Sequence, residues 1–194
     1  MNKAEPIRNQ ADIEAMKNVL TGRNRLMFVM GVSMGLRISD LLSLKIGDLR
    51  DKSHLVIVEK KTENTRKQRK PRRIKISETV KREIEQLDGP DNEYIFKSRQ
   101  GGNKPISRIQ AYRILNKAAE QVGLVERDEN DKIIRGAISC HSLRKTFGYQ
   151  LYERQGLDIT RVMTILQHSS PEVTLAYIGI TDEEIDAAYE AIEI

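Results

Sequence analysis

The chain has 194 residues, with 33 Lys plus Arg against 28 Asp plus Glu and a net charge of +5. That length can bury a substantial core in one domain, and the excess of cations leans toward a polyanionic partner. The lone cysteine, Cys140, excludes a disulfide framework and a thiolate zinc site, and no apolar run approaches the roughly 18 residues of a membrane-spanning helix.

In chain order, Asn9 followed by Asp12 marks a helix start, and Ile13, Met16 and Leu20 give it one apolar stripe that ends near Gly22. RLMFVMGVSMGL is apolar almost throughout and reads as a buried central helix, broken by Gly35. Ser39 is the expected N-cap of the next helix, DLLSLKIGDL, which leaves Arg37 in a tight junction between two buried helices with Asp40 one turn away. HLVIVEK, residues 54–60, and RRIKIS, residues 72–77, read as paired strands joined by a basic hairpin. Lys60 to Lys75 holds nine basic residues against one acid, Glu63.

An amphipathic helix is expected from Glu78 to Leu87, then turn residues, then a long helix capped by Ser107. Its apolar positions at spacings of three and four are Ile109, Tyr112, Leu115, Ala119 and Val122, before Gly123 stops it. ERDENDKIIRG reads as a loop or small hairpin leading into ISCHSLRK. A helix starting there puts His141 and Arg144 on one face, able to address one ligand. A second apolar-periodic segment (Ile159, Val162, Met163, Leu166) ends at His168, and Pro171 starts a helix carrying Tyr177. The final helix (Ile185, Ala188, Tyr189, Ile192) has an acidic outer face and packs either on its own domain or on a neighbouring protomer. Cys140, beside His141, reads as a small core residue rather than a nucleophile.

Arginine grips non-bridging phosphate oxygens, imidazole moves protons and a phenol can be a covalent nucleophile, so these residue types together suit chemistry on a phosphate. GLRISDLLSL, HSLRK and LQHSSPEVTLAY, in that order, resemble the three motif boxes of the tyrosine recombinase (phage integrase) family. The resemblance covers residues from about 10 to about 180 and implies a mixed fold, mainly α with a small antiparallel β-sheet, of the tyrosine recombinase catalytic-domain type.

The resemblance further implies a site-specific recombinase or integrase that cleaves and rejoins duplex DNA. Tyr177 would be the nucleophile, Arg37, Arg144 and His168 would hold the scissile phosphate, and His141 would accept the tyrosine proton. A lysine of the basic hairpin would protonate the leaving oxygen: Lys61, which precedes Thr62, is the first choice and Lys60 the alternative. Asp40, where many relatives have glutamate, would orient the site from behind, and Gln167 stands where many have glycine. Arg66, Lys67, Arg69, Lys70, Lys104, Arg108 and Arg113 are candidate DNA contacts, as is Lys60 if it is not catalytic. No cofactor and no metal are implied.

Relatives normally carry an N-terminal helical domain that grips the far side of the duplex. Residues 1–194 are therefore expected to form a single catalytic domain without that core-binding domain, acting in the cytoplasm. The protein is expected to be a monomer in solution and a homo-tetramer on paired DNA sites. A topoisomerase-like relaxing enzyme of type IB and a non-catalytic DNA-binding protein with the same fold stay open as alternatives.

Overall fold

The computed structural model describes residues 4–58, 71–136, 138–179, 186 and 190. The chain forms two compact units, Met1–Phe147 and Gly148–Ile194. In the first, α1 (Gln10–Val19) is capped by Asn9, whose side chain accepts from the Ala11 N–H, and buries Ile13 and Met16. α2 (Gly22–Met34) is the centre of the core: from Leu26 to Val32 every residue is buried, as an apolar run with no polar face requires. It ends at Gly35, which takes the left-handed conformation (φ 58°).

α3 (Ile38–Leu42) follows after a two-residue break, and here the structure corrects the expected cap. Arg37, not Ser39, is the N-cap, with its carbonyl accepting from the Asp40 and Leu41 N–H groups at 2.9 Å each. The hydrophobic core supplies what a capping hydroxyl would have done, since Ile38, Leu41 and Leu42 are all buried. After a short 3-10 turn at Ile46–Asp48, strands β1 (His54–Ile57) and β2 (Arg72–Lys75) pair antiparallel, with His54 opposite Lys75 and Ile57 opposite Arg72. α4 (Glu78–Ile84), capped by Ser77, packs against α2.

α5 (Arg108–Gln121) starts with a reciprocal capping box between Ser107 and Gln110. Its buried face matches the expected one at Leu115, Ala119 and Val122 and departs from it in the first turns. Ala111, Leu115, Asn116, Ala118 and Ala119 face inward, whereas Ile109 and Tyr112 are exposed. The alanines let the helix approach closely, and buried Asn116 is retained because its amide donates to the Tyr112 and Ile138 carbonyls. A small hairpin, β3 (Glu126–Arg127) with β4 (Ile133–Arg135), leads to α6 (Cys140–Glu153), which starts in the first unit and ends in the second.

In the second unit the end of α6 is followed by α7 (Ile159–Leu166), capped by Asp158, and α8 (Pro171–Ile178), capped by Ser170 with Pro171 at its first position. Val162, Leu166 and Ile178 are buried, and a Cβ at Gly148 would lie 3.0 Å from Leu166 and 3.3 Å from Ile178, so this glycine permits close packing. Of the expected final helix only Asp186 and Glu190 are described, both helical and exposed.

Candidate active site

The C-terminal end of α2 gathers two buried arginines. Arg72, the first residue of β2, donates from Nη2 to the Met34 carbonyl at 3.1 Å and from Nη1 to the Gly35 carbonyl at 3.3 Å. Arg144 of α6 donates from Nη1 to the same Gly35 carbonyl at 2.8 Å. The free carbonyls of a helix C-terminus carry partial negative charge, so they are natural anchors for guanidinium groups. Arg37 lies two residues beyond Gly35 and is half-buried, and Asp40 is buried one turn into α3. Sequence elements far apart in the chain thus bring Arg72, Arg144 and the Gly35–Arg37 turn together.

Arg144 is 2% exposed and Arg72 is 8% exposed, so both have lost most of their hydration. Burial, then the neighbouring charge of Arg144, lowers the Arg72 guanidinium to about 10, with the Asp40 carboxylate acting in the opposite direction. Arg72 nonetheless stays charged at neutral pH. Two cations held together away from water cost energy that one buried acid offsets in part. Phosphate is the anion whose oxygens suit a guanidinium fork.

α6 places His141 in its first turn, on the exposed surface, three residues before Arg144. The turn is fixed by Ser139 and Ser142: the His141 N–H donates to Ser139 Oγ at 3.1 Å and the Ser139 N–H to Ser142 Oγ at 3.0 Å. His141 shares an open cleft with Arg108, Ile109, Tyr112, Ser139 and Cys140. Exposed Ile109 and Tyr112 therefore serve this cleft rather than the core. Of the candidate DNA contacts on the described residues, Arg108 joins His141 there, whereas Arg113 is on another face of α5 and Lys104 lies in the preceding loop; all three are exposed. Burial raises the Cys140 thiol above its ordinary value, which leaves it protonated and a poor nucleophile at neutral pH.

In the second unit His168 and Tyr177 meet directly. Their rings are edge to face, with centroids 4.7 Å apart and planes at 72°. Thr174 Oγ1, one turn before Tyr177 on α8, lies 3.0 Å from His168 Nδ1 and itself donates to the Ser170 carbonyl. The hydroxyl on Nδ1 fixes the orientation of the imidazole ring.

Gln167 ends α7 in the left-handed conformation, φ 53°, which glycine adopts without a Cβ penalty. Gln167→Gly is expected to stabilise the fold by about 0.5–1 kcal/mol, the relieved Cβ strain less the extra chain entropy of glycine. Thermal melting checks this, and a lowered melting temperature would contradict it.

Lys60, Lys61, Arg66, Lys67, Arg69 and Lys70 lie outside the described residues. Arg72 is the residue that the sequence reading passed over, counted there only as part of a basic run. Its signal was present: in RRIKIS the residues Arg72, Ile74 and Ile76 share one face of an alternating strand, and all three are buried.

The profile of the phage integrase family matches residues 8–184. Over 195 residues the chain is 43% identical to a probable integrase/recombinase of Bacillus subtilis, YoeC, covering 98% of this chain and 97% of that one. Among solved structures, the XerA recombinase superposes with a TM-score of 0.71 at 19% identity over the whole chain. The XerH site-specific recombinase bound to its difH substrate superposes with a TM-score of 0.62 at 20% identity over 98% of the chain. The chain spans 66% of the XerA chain and 56% of the XerH chain.

Proposed function

The chain belongs to the phage integrase family, and on that premise we propose that it is a site-specific recombinase that cuts and rejoins duplex DNA through a 3'-phosphotyrosyl intermediate. The observation that carries the reading is the buried Arg144 guanidinium held on the Gly35 carbonyl two residues before Arg37, which brings together two cationic forks suited to a phosphate. The pairing of His168 with Tyr177 supports it independently.

In this reading Arg37, Arg144 and His168 hold the non-bridging oxygens and stabilise the charge that grows on them in the transition state. The Tyr177 oxygen attacks phosphorus in line as His141 takes the phenolic proton, and the 5'-oxygen leaves with a proton from Lys61 or Lys60. A phosphodiester is exchanged for a phosphotyrosyl ester, so rejoining needs no outside energy: the 5'-hydroxyl attacks and the protons return. Arg108 and the hairpin cations contact the duplex backbone, with Lys104 and Arg113 as outer contacts. Monomers in solution would assemble as a tetramer on paired sites.

The test is covalent trapping. The protein is incubated with a randomised pool of nicked duplexes that lose a short 5'-hydroxyl fragment on cleavage, then denatured and examined for DNA-linked protein. A DNA-linked band is expected, and sequencing the trapped DNA gives the target preference. Duplex binding without any such band would overturn the enzymatic reading in favour of a binding protein.

A further inference from the structure

We propose that Arg72 is a positioning residue for the cleavage reaction: it clamps the Met34 and Gly35 carbonyls and so fixes the acceptor on which Arg144 is held. The proposal deepens the recombinase reading and rests on it for the reaction, though not for the structural claim. Arg72 and Arg144 share one acceptor, the Gly35 carbonyl, at 3.3 and 2.8 Å. Arg72 adds a second bond, to the Met34 carbonyl at 3.1 Å. A planar guanidinium spanning two successive carbonyls fixes the orientation of that peptide in a way that a single donor cannot. Arg37 follows two residues later, so one fork sets the anchor of one arginine and the backbone entry to the other.

Arg72 has a second connection, through the chain. It opens β2, opposite Ile57 at the end of β1, and residues 59–70, which contain Lys60 and Lys61, join these two strands. The side chain on the inner face of the sheet therefore ties the paired ends of β1 and β2 to the turn that carries Arg37. It is buried at the end of a helix and holds two backbone carbonyls there, so it acts through Arg144 and the turn instead of touching DNA.

Two variants test this, Arg72→Ala and Arg72→Lys, in the full chain. With a nicked duplex at saturating concentration, the rate of adduct formation in Arg72→Ala is expected to fall about a hundred-fold, the size of a misplacement of catalytic groups by about 1 Å. Duplex affinity should change by less than about threefold, because no phosphate contact is lost. Guanidinium chloride at millimolar concentration should restore much of the rate in Arg72→Ala by filling the vacated site. Arg72→Lys keeps the charge and is the safer variant for folding; it reaches only one of the two carbonyls and should lie between parent and Arg72→Ala.

An independent readout is the slowly exchanging side-chain N–H signals of Arg144 in nitrogen-15 spectra, assigned with Arg144→Lys. These signals should be lost or shifted in Arg72→Ala and return with guanidinium. An unchanged Arg144 signal overturns the positioning role whether or not the parent cleaves. Affinity falling in step with rate would also overturn it, since Arg72 would then be a DNA contact. A parent that forms no adduct while the Arg144 signal responds to Arg72→Ala would sink the recombinase reading and leave the clamp standing.

Discussion

Tyr177→Phe is expected to bind duplex DNA with parental affinity and to form no covalent adduct, a loss on the order of 10⁴-fold or more, as expected when the attacking atom itself is removed. The substitution deletes one oxygen and keeps the ring. The edge-to-face contact with His168 at 4.7 Å and the Thr174–His168 bond do not use that oxygen, and thermal melting of the variant checks that the second unit stays folded. Loss of the adduct with unchanged melting and unchanged binding is then a statement about chemistry alone. An adduct at parental rate would move the nucleophile elsewhere and dissolve the case for Tyr177. In parental protein, plasmid relaxation without recombinant products would instead point to the type IB relaxing reaction, which the same residues could perform.

Why these residues could be found without coordinates is clearest in the second unit. Asp158, Ser170 and Pro171 sit at helix starts because their side chains satisfy or dispense with the first N–H groups, and these are local effects visible in a few residues. His168 and Tyr177 are separated by one turn and one short helix, so their meeting is a short-range consequence of that geometry. The same holds for Gly35, which ends an apolar helix in the conformation that glycine takes most readily.

What escaped the sequence depends on partners far along the chain. Ser39 was the better cap by composition, yet α3 starts at Ile38 because burying Ile38, Leu41 and Leu42 outweighs a capping bond of about 1 kcal/mol. α5 presented two possible stripes, one through Ile109 and Tyr112 and one through Ala111 and Ala118. Hydropathy favours the first, but close approach to α1 and the buried amide of Asn116 select the second. Arg72 is the strongest case. Its charge suggested solvent, and partners distant in the chain, among them the carbonyls at the end of α2, 37 and 38 residues away, make an inward guanidinium tolerable. The alternation of RRIKIS carried the hint, and the charge of the residue hid it.

Gly35→Ala should strongly destabilise the first unit. Two costs combine. The residue sits at φ 58°, where a Cβ costs about 1–2 kcal/mol, and a Cβ built there falls inside the Phe147 ring, 2.5 Å from Cε1 and closer still to Cδ1, adding the roughly 1–3 kcal/mol of an overpacked core. A fall in melting temperature of roughly 10 °C follows. The damage should also reach cleavage, because the Gly35 carbonyl is the common acceptor of Arg72 and Arg144 and cannot shift without releasing one of them. Gly22→Ala is the matched control: Gly22 too is left-handed, φ 48°, but no atom lies within 4 Å of its added Cβ. It should show the backbone cost alone and cleave at the parental rate. Equal melting temperatures for the two variants would mean that Phe147 yields freely and that the turn is not held by packing. A large drop for Gly35→Ala with parental cleavage, measured below its melting temperature, would separate stability from chemistry and show that the Gly35 carbonyl need not stay in place for Arg144 to act.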